Sequence, residues 1–327
     1  MPESFLAEAK LAHRRGDLKC ALELSEKGLA QGSELSSAKR HELWVLKSHC
    51  LSALGKWLES VRALESATQE GTISAEAEAR LMMHRGYLMG SLARYSECFA
   101  LLHRAELAAR ELGNSKLVAE TLWRRGLISI FVGDYAMAEK CLRSSAEIAL
   151  AEKDRSLEAL SIAGIAKNLM YQERYNDAIA KFEEALKIFE ETDSAFYIAV
   201  AHSELGNCYM FLGETGKALQ LLESSAQVFL ENGAMPNYQV NLAGIGNVFL
   251  RRGEYLKAVT YYQQALGMAR ELGDQLSTAK WLRNLCQAYS LLGNPALARG
   301  FEMEADSVNG SLAAERERAV HYAMSIK

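Results

Sequence analysis

Asn207 and Asn247 are the side chains whose type and spacing best suit recognition chemistry: they stand forty residues apart, each directly after a glycine, Gly206 and Gly246. A primary amide offers two donors and an acceptor, so a ladder of amides can hold an extended polypeptide backbone whatever its side chains. The competing use is a hydrogen bond inside a helix or between neighbouring repeats. Groups that would converge for catalysis are missing from the pattern. The chain has no phosphate loop, no H-E-x-x-H, no paired C-x-x-C and no G-x-S-x-G. Its seven histidines, His13, His41, His49, His84, His103, His202 and His321, are scattered, and His41 and His49 lie too far apart on one helix to share a metal without a third ligand. The sequence therefore predicts no catalytic residues, no cofactor and no metal site. Six cysteines without paired spacing read as small core residues in a reducing compartment, Cys98 and Cys286 above all.

The elements that carry the asparagines repeat. From Leu242 to Asp274 the sequence reads LAGIGNVFLRRGEYLKAVTYYQQALGMARELGD. Apolar residues recur at three- and four-residue intervals on either side of Gly253, which is the period of one helix face, twice. Small residues at Gly246 and Ala258 let two helix backbones approach closely, so the unit is a helical hairpin. Steps of forty residues connect Gly86, Gly126, Ala166, Gly206, Gly246 and Cys286, all small. The turn positions Ala93, Gly133, Glu173, Gly213, Gly253 and Gly293 keep the same phase, as do the second small residues Cys98, Ala138, Ala178, Ala218, Ala258 and Ala298. Self-similarity at such a period predicts an all-α, right-handed α-solenoid of about eight antiparallel hairpins.

Composition agrees. Three prolines, few β-branched residues and abundant Ala, Leu and Glu favour helix throughout. A net charge of −4 gives no global pull toward nucleic acid or an anionic membrane. No apolar run reaches the length of a membrane span, and the Met-Pro-Glu-Ser-Phe start lacks the features of a signal peptide, so a cytoplasmic protein is expected.

Residues 1–307 read as one continuous array. Repeat one is degenerate, with Ala9, Gly16 and Ala21 in the small, turn and small roles, and repeat two has Ser48, Gly55, Trp57 and Ser60. Gly113, Asp193, Gly233 and Gly273 end second helices where a positive φ is needed. Asn294-Pro295 is an N-cap followed by an N1 proline, and Pro236 likewise opens a helix. Residues 308–327 change pattern: Ser311 is placed to cap a last helix to about Ile326, with Leu312, Val320, Ala323 and Met324 opposite Glu315, Glu317 and Arg318. That helix either caps repeat eight or docks a partner, including a second copy of the chain.

The order of small, aromatic and glycine positions, as in Leu205-Gly206 with Tyr209 and Gly213, resembles the tetratricopeptide repeat. The period is longer than that family's usual one. It is similar to the long-helix variant of kinesin light chains, spindle-orientation adaptors, and bacterial regulators such as the Rap phosphatases and the maltose-regulon activator. Departures are the first two repeats, Glu173 at a turn glycine, and Thr215 and Pro295 at turn aromatics.

The resemblance implies that first helices line a concave groove. By phase, Lys10, Arg14, Arg80, Lys167, Arg251, Lys280 and Arg283 then face it against Glu3, Glu42 and Glu120, a surplus that would steer an acidic partner. Trp123, Ile130, Phe131, Met170, Tyr171, Met210 and Phe211 form its apolar middle, either as anchors or as packing between helices. Long-repeat adaptors use asparagines at the position of Asn207 and Asn247 and at one three residues earlier, which Asn284 fills. The implied role is a non-enzymatic scaffold holding an acidic and apolar peptide or helix, without nucleic acid or membrane. The alternative is a bacterial regulator whose superhelix changes shape around a signal peptide or small ligand. No residue matches the side chain that Rap-type regulators aim at a phosphoaspartate.

Overall fold

The computed structural model describes residues 2–15, 17–31, 35–69 and 74–325. Among them are sixteen helices in eight antiparallel hairpins, and no strand. The first helices are α1 (Pro2–Arg15), α3 (Ser37–Ala53), α5 (Ala75–Ser91), α7 (Ser115–Val132), α9 (Arg155–Tyr171), α11 (Ala195–Phe211), α13 (Met235–Arg251) and α15 (Gln275–Leu291). The second helices are α2 (Leu18–Ala30), α4 (Trp57–Thr68), α6 (Tyr95–Glu111), α8 (Tyr135–Ala151), α10 (Tyr175–Glu191), α12 (Thr215–Asn232), α14 (Tyr255–Glu271) and α16 (Pro295–Ser325). Each second helix packs on its own first helix and on the next one, which makes the chain an α-solenoid.

The small residues do what their spacing requires. A Cβ on Gly126 would lie 2.6 Å from Leu142, one on Gly206 2.9 Å from Leu222, and one on Gly246 2.7 Å from the ring of Tyr262. In each case the obstacle is a fully buried side chain on the second helix of the same hairpin, so the interhelical distance is set by the missing methyl group.

Turn geometry persists even where glycine does not. Within hairpins Ala93 and Glu173 have φ of 60° and 62°, alongside Gly133, Gly213, Gly253 and Gly293. Between hairpins Lys153 and Asp193 have φ of 56° and 51°, in phase with Gly113, Gly233 and Gly273. A left-handed residue with a Cβ costs about 1–2 kcal/mol, and packing of the flanking helices overrides it here. Side-chain caps recur as well: Asp134, Asp154 and Asp274 accept from backbone N–H groups of Met137, Leu157 and Ser277 at 3.0–3.2 Å. Asn294 accepts from Leu297 N–H at 3.2 Å.

The superhelix winds far enough to touch itself. Lys19 Nζ donates to the Glu231 carbonyl at 2.7 Å, 212 residues along the chain. Leu18, Ala53 and Leu54 share an apolar cluster with Phe196, Phe229 and Ala234, so the first two repeats pack on repeats six and seven. At the other end α16 packs beyond its own hairpin onto α6. Leu312, only 2% exposed, joins the cluster built around Tyr95, Phe99 and Leu102.

The tail differs from expectation. α16 passes through Asn309-Gly310 without a break, so Ser311 lies inside a helix rather than capping a new one. Once α16 has an apolar surface on α6 to follow, continuing the helix satisfies the backbone and buries Leu312 together. Gly16 and Ile326, and the side chains of Glu3, Arg14, Trp57, Glu315, Glu317, Arg318, Val320, Ala323 and Met324, lie outside the described residues.

Candidate functional site

The first helices α5 to α15 line a channel of about 770 Å³. Phe131, Lys167, Met170, Tyr171, Asn207, Phe211, Asn247, Lys280, Arg283 and Asn284 all border it. Arg80, Trp123 and Arg251 are not among its lining residues.

The asparagines are arranged as a relay. Tyr262 is wholly buried, and its hydroxyl donates to Asn247 Oδ1 at 2.7 Å. Asn284 Nδ2 donates to the same oxygen at 3.1 Å. With two donors on its carbonyl, Asn247 has its NH2 left for the channel, while Asn284 keeps its Oδ1. The pair therefore presents one donor and one acceptor side by side, the complement of a peptide unit. Asn207 stands one repeat away, its Oδ1 3.1 Å from where a Cβ on Gly244 would lie.

The aromatic members divide. Phe131 and Tyr171 meet edge to face at 6.4 Å, and Lys167 Nζ lies 5.5 Å from the Phe131 ring. Lys280 reaches across from α15 to lie 5.8 Å from the Tyr171 ring and 3.5 Å from its hydroxyl, so side chains of α9 and α15 meet across the channel. Phe211 is 42% exposed, stacks on Tyr175 at 4.8 Å and has the Arg251 guanidinium 5.2 Å from its ring. Trp123 donates from its indole to the Leu160 carbonyl at 3.1 Å, a contact between repeats. Ile130 and Met210, 1% and 2% exposed, are packing residues rather than anchors.

The basic surplus expected of the groove is absent from this channel. Its lining holds Lys167, Lys280 and Arg283 against Glu173, Glu204 and Asp274, an even balance. Lys167 pairs with Glu204 at 2.7 Å, Arg80 with Glu76 and Glu120 at 3.2 and 3.4 Å, Arg283 with Asp306 at 3.5 Å, and Lys10 with Glu42. Burial opposes the charge on Lys167, yet Glu204 and the surrounding phenols hold its ammonium pKa above the usual value. Glu204 is out of phase with the groove positions of its own helix, so it is not found along single helices. Adjacent first helices instead touch at an offset of 37 residues, as in Trp123–Leu160, Lys167–Glu204 and Asn247–Asn284. Subtracting three from the period finds each of these pairs in the sequence.

The histidines are a second surprise. His13, His49 and His84 converge from α1, α3 and α5, with ring centroids 5.8 and 3.6 Å apart, and His49 Nε2 and His84 Nδ1 share a hydrogen bond. Among the described residues no group has the geometry to hold a metal ion, and no helix is long and apolar enough to cross a membrane.

Comparison with known proteins places this geometry. A family model described as tetratricopeptide repeat matches residues 155–231 and 238–305. The chain is 21% identical over 276 residues to the 43 kDa receptor-associated protein of the synapse of Tetronarce californica, a match covering 82% of this chain and 66% of that protein. It is 26% identical over 117 residues to response regulator aspartate phosphatase J of Bacillus subtilis (strain 168), across 36% of this chain and 31% of that one. The chain thus spans just under two thirds of the first relative's length and about a third of the second's. Among solved structures, a Rap protein complexed with competence and sporulation factor superposes with a TM-score of 0.66 at 16% identity, covering 99% of this chain and 96% of that one. At such identity the structural likeness speaks for the fold alone. The family model, which matches just under half of the chain, and the sixteen-helix solenoid together support a tetratricopeptide-repeat array.

Proposed function

We propose that this chain is a non-enzymatic interaction module that holds an extended segment of a protein partner in its channel. The observation that carries the reading is the Asn247–Asn284 pair, whose free donor and free acceptor match the carbonyl and N–H of one peptide unit. Hydrogen bonds to the backbone supply affinity without sequence preference, and the Phe131–Tyr171 and Phe211 surfaces add apolar selectivity. The even charge of the lining favours a mixed or apolar segment over a strongly acidic one. Tetratricopeptide-repeat relatives support a role in protein interaction or regulation, and the Rap neighbour was itself solved with a factor bound.

The test compares proteins captured by the wild-type chain with those captured by an Asn247→Ala, Asn284→Ala variant of unchanged helicity. A partner lost from the variant but retained by an Arg143→Ala control, exposed on the second helix α8, supports the channel. Equal recovery by all three chains refutes it.

A second reading, a regulator that changes shape on binding, draws on the self-contacts of the superhelix. The Lys19–Glu231 bond and the α16–α6 packing must break for the coil to open. Under this reading the scattering radius changes when the partner binds, whereas a rigid scaffold keeps it.

A further inference from the structure

Arg124 on α7 is a cation without an anion. Among the described residues no carboxylate pairs with it, and its Nε is occluded from solvent with no hydrogen-bond partner. One Nη reaches the Glu120 carbonyl oxygen only at 3.5 Å, while the Glu120 carboxylate is committed to Arg80. The guanidinium lies 5.6 Å from the Tyr87 ring and 5.1 Å from that of Trp123. Aromatic faces attract a cation but do not satisfy its N–H groups. Unpaired charge inside a protein is costly enough that its persistence calls for an explanation.

The surroundings come from five helices. His13 (α1), His49 (α3), Arg80, His84 and Tyr87 (α5), Glu120 (α7) and Tyr197 (α11) are the titratable groups that face Arg124. Burial, then the Arg124 charge, holds His13 down at about 4, and burial with the same charge pushes His49 and His84 well below the usual imidazole range. Three neutral imidazoles beside a cation can donate N–H groups without adding to the positive charge. A metal does not fit, because the geometry fails and two guanidinium groups repel it. What the pocket is short of is negative charge.

We propose that Arg124, together with His49 and His84, forms an anion site at the amino-terminal end of the channel that takes an oxyanion, a carboxylate or phosphate. An arriving anion supplies the missing acceptor to Arg124 and offsets its field at the imidazoles, so one or more of them takes up a proton on binding. Tyr87 borders the channel and stacks on Arg124, so the same chemistry is open to a free oxyanion or to a carboxylate on a segment lying in the channel. Anion capture at Arg124 does not require the Asn247–Asn284 pair.

The experiment titrates the full chain with inorganic phosphate near about pH 6, where an ordinary imidazole is poised to titrate. Ionic strength is held constant with potassium chloride, and the histidine ring resonances are followed by NMR. A parallel arm uses the acetylated, amidated tetraglutamate peptide. Saturable movement of the His49 and His84 resonances with either probe, together with a rise in their apparent pKa, supports the site. Phosphate alone acting identifies a free oxyanion; tetraglutamate alone acting identifies a tethered carboxylate. Arg124→Gln should weaken the active probe at least about tenfold, the worth of a charge-assisted hydrogen bond, while Arg143→Gln, exposed on α8, leaves it unchanged. If neither probe gives a saturable change beyond chloride in the wild-type chain, the site does not exist, whatever the stability of the variants. A response retained by folded Arg124→Gln also overturns the assignment.

Discussion

Gly246→Ala and Gly267→Ala add the same methyl group to the same hairpin and should move stability in opposite directions. A Cβ on Gly246 would lie 2.7, 2.8 and 3.3 Å from three ring carbons of Tyr262, whereas one on Gly267 meets nothing within 4 Å. Tyr262 cannot swing aside freely, because its ring is 0% exposed and its hydroxyl is fixed on Asn247. Overpacking of this kind costs about 1–3 kcal/mol, and loss of the phenol hydrogen bond adds about 1 kcal/mol. The gain from replacing a helical glycine, about 0.5–1 kcal/mol, offsets only part of that at Gly246 but stands alone at Gly267. The two variants should therefore differ by about 2–4 kcal/mol. Urea unfolding followed by far-UV circular dichroism reads the midpoints. Native-state hydrogen exchange of α13 and α14 assigns the change to this repeat, since an array need not unfold in one step. Equal midpoints, or a Gly246→Ala chain more stable than wild type, would refute the close-approach account of the repeat.

Two other outcomes follow from the backbone and the histidines. Glu173→Gly should stabilise the α9–α10 hairpin by about 0.5–1 kcal/mol, because relief of a left-handed residue exceeds the entropy cost of glycine; an unchanged or lower urea midpoint would count against it. On acidification, the unfolded chain protonates His13, His49 and His84 near the usual 6.5, while the folded chain resists, His13 down to about 4. Stability from these groups is complete above pH 6.5 and declines as pH falls toward about 4, so exchange protection in α1, α3 and α5 should fade there before that in α13 and α15. Uniform protection across this window would refute that linkage.

The repeat and its caps were legible because they depend on residues close in sequence. Gly126, Gly206 and Gly246 recur at one spacing because each meets its obstacle twelve to sixteen residues later, inside one hairpin. Even Glu173 could be placed at a turn by phase, although its type argued against a positive φ. Lys153 is hidden for the same reason: a long charged side chain masks a left-handed backbone. The channel asparagines were also reachable, since Asn247 and Asn284 differ by a fixed offset between neighbouring repeats. Reading one helix at a time concealed the charges: Glu204 sits against Lys167, and Lys10, Arg80 and Arg283 are likewise paired with carboxylates. The histidines beside Arg124 obey the same offset, since His13, His49 and His84 stand 36 and 35 residues apart, each three fewer than the local spacing from Ala9 to Ser48 to Gly86, and the uneven period of the first repeats hides them.

The contacts between repeats one and two and repeats six and seven, and between α16 and α6, bear on how such a chain can evolve. An open array tolerates the gain or loss of a hairpin by slipped duplication, because each unit touches only its neighbours. Here one more hairpin would carry α16 past α6 and leave Leu312 without its cover, and one fewer would part Lys19 from Glu231. Point substitutions within a unit leave these contacts in place, and the turn keeps its left-handed backbone even with Glu173 in it. The number of units is under a separate constraint, set by the pitch of the coil.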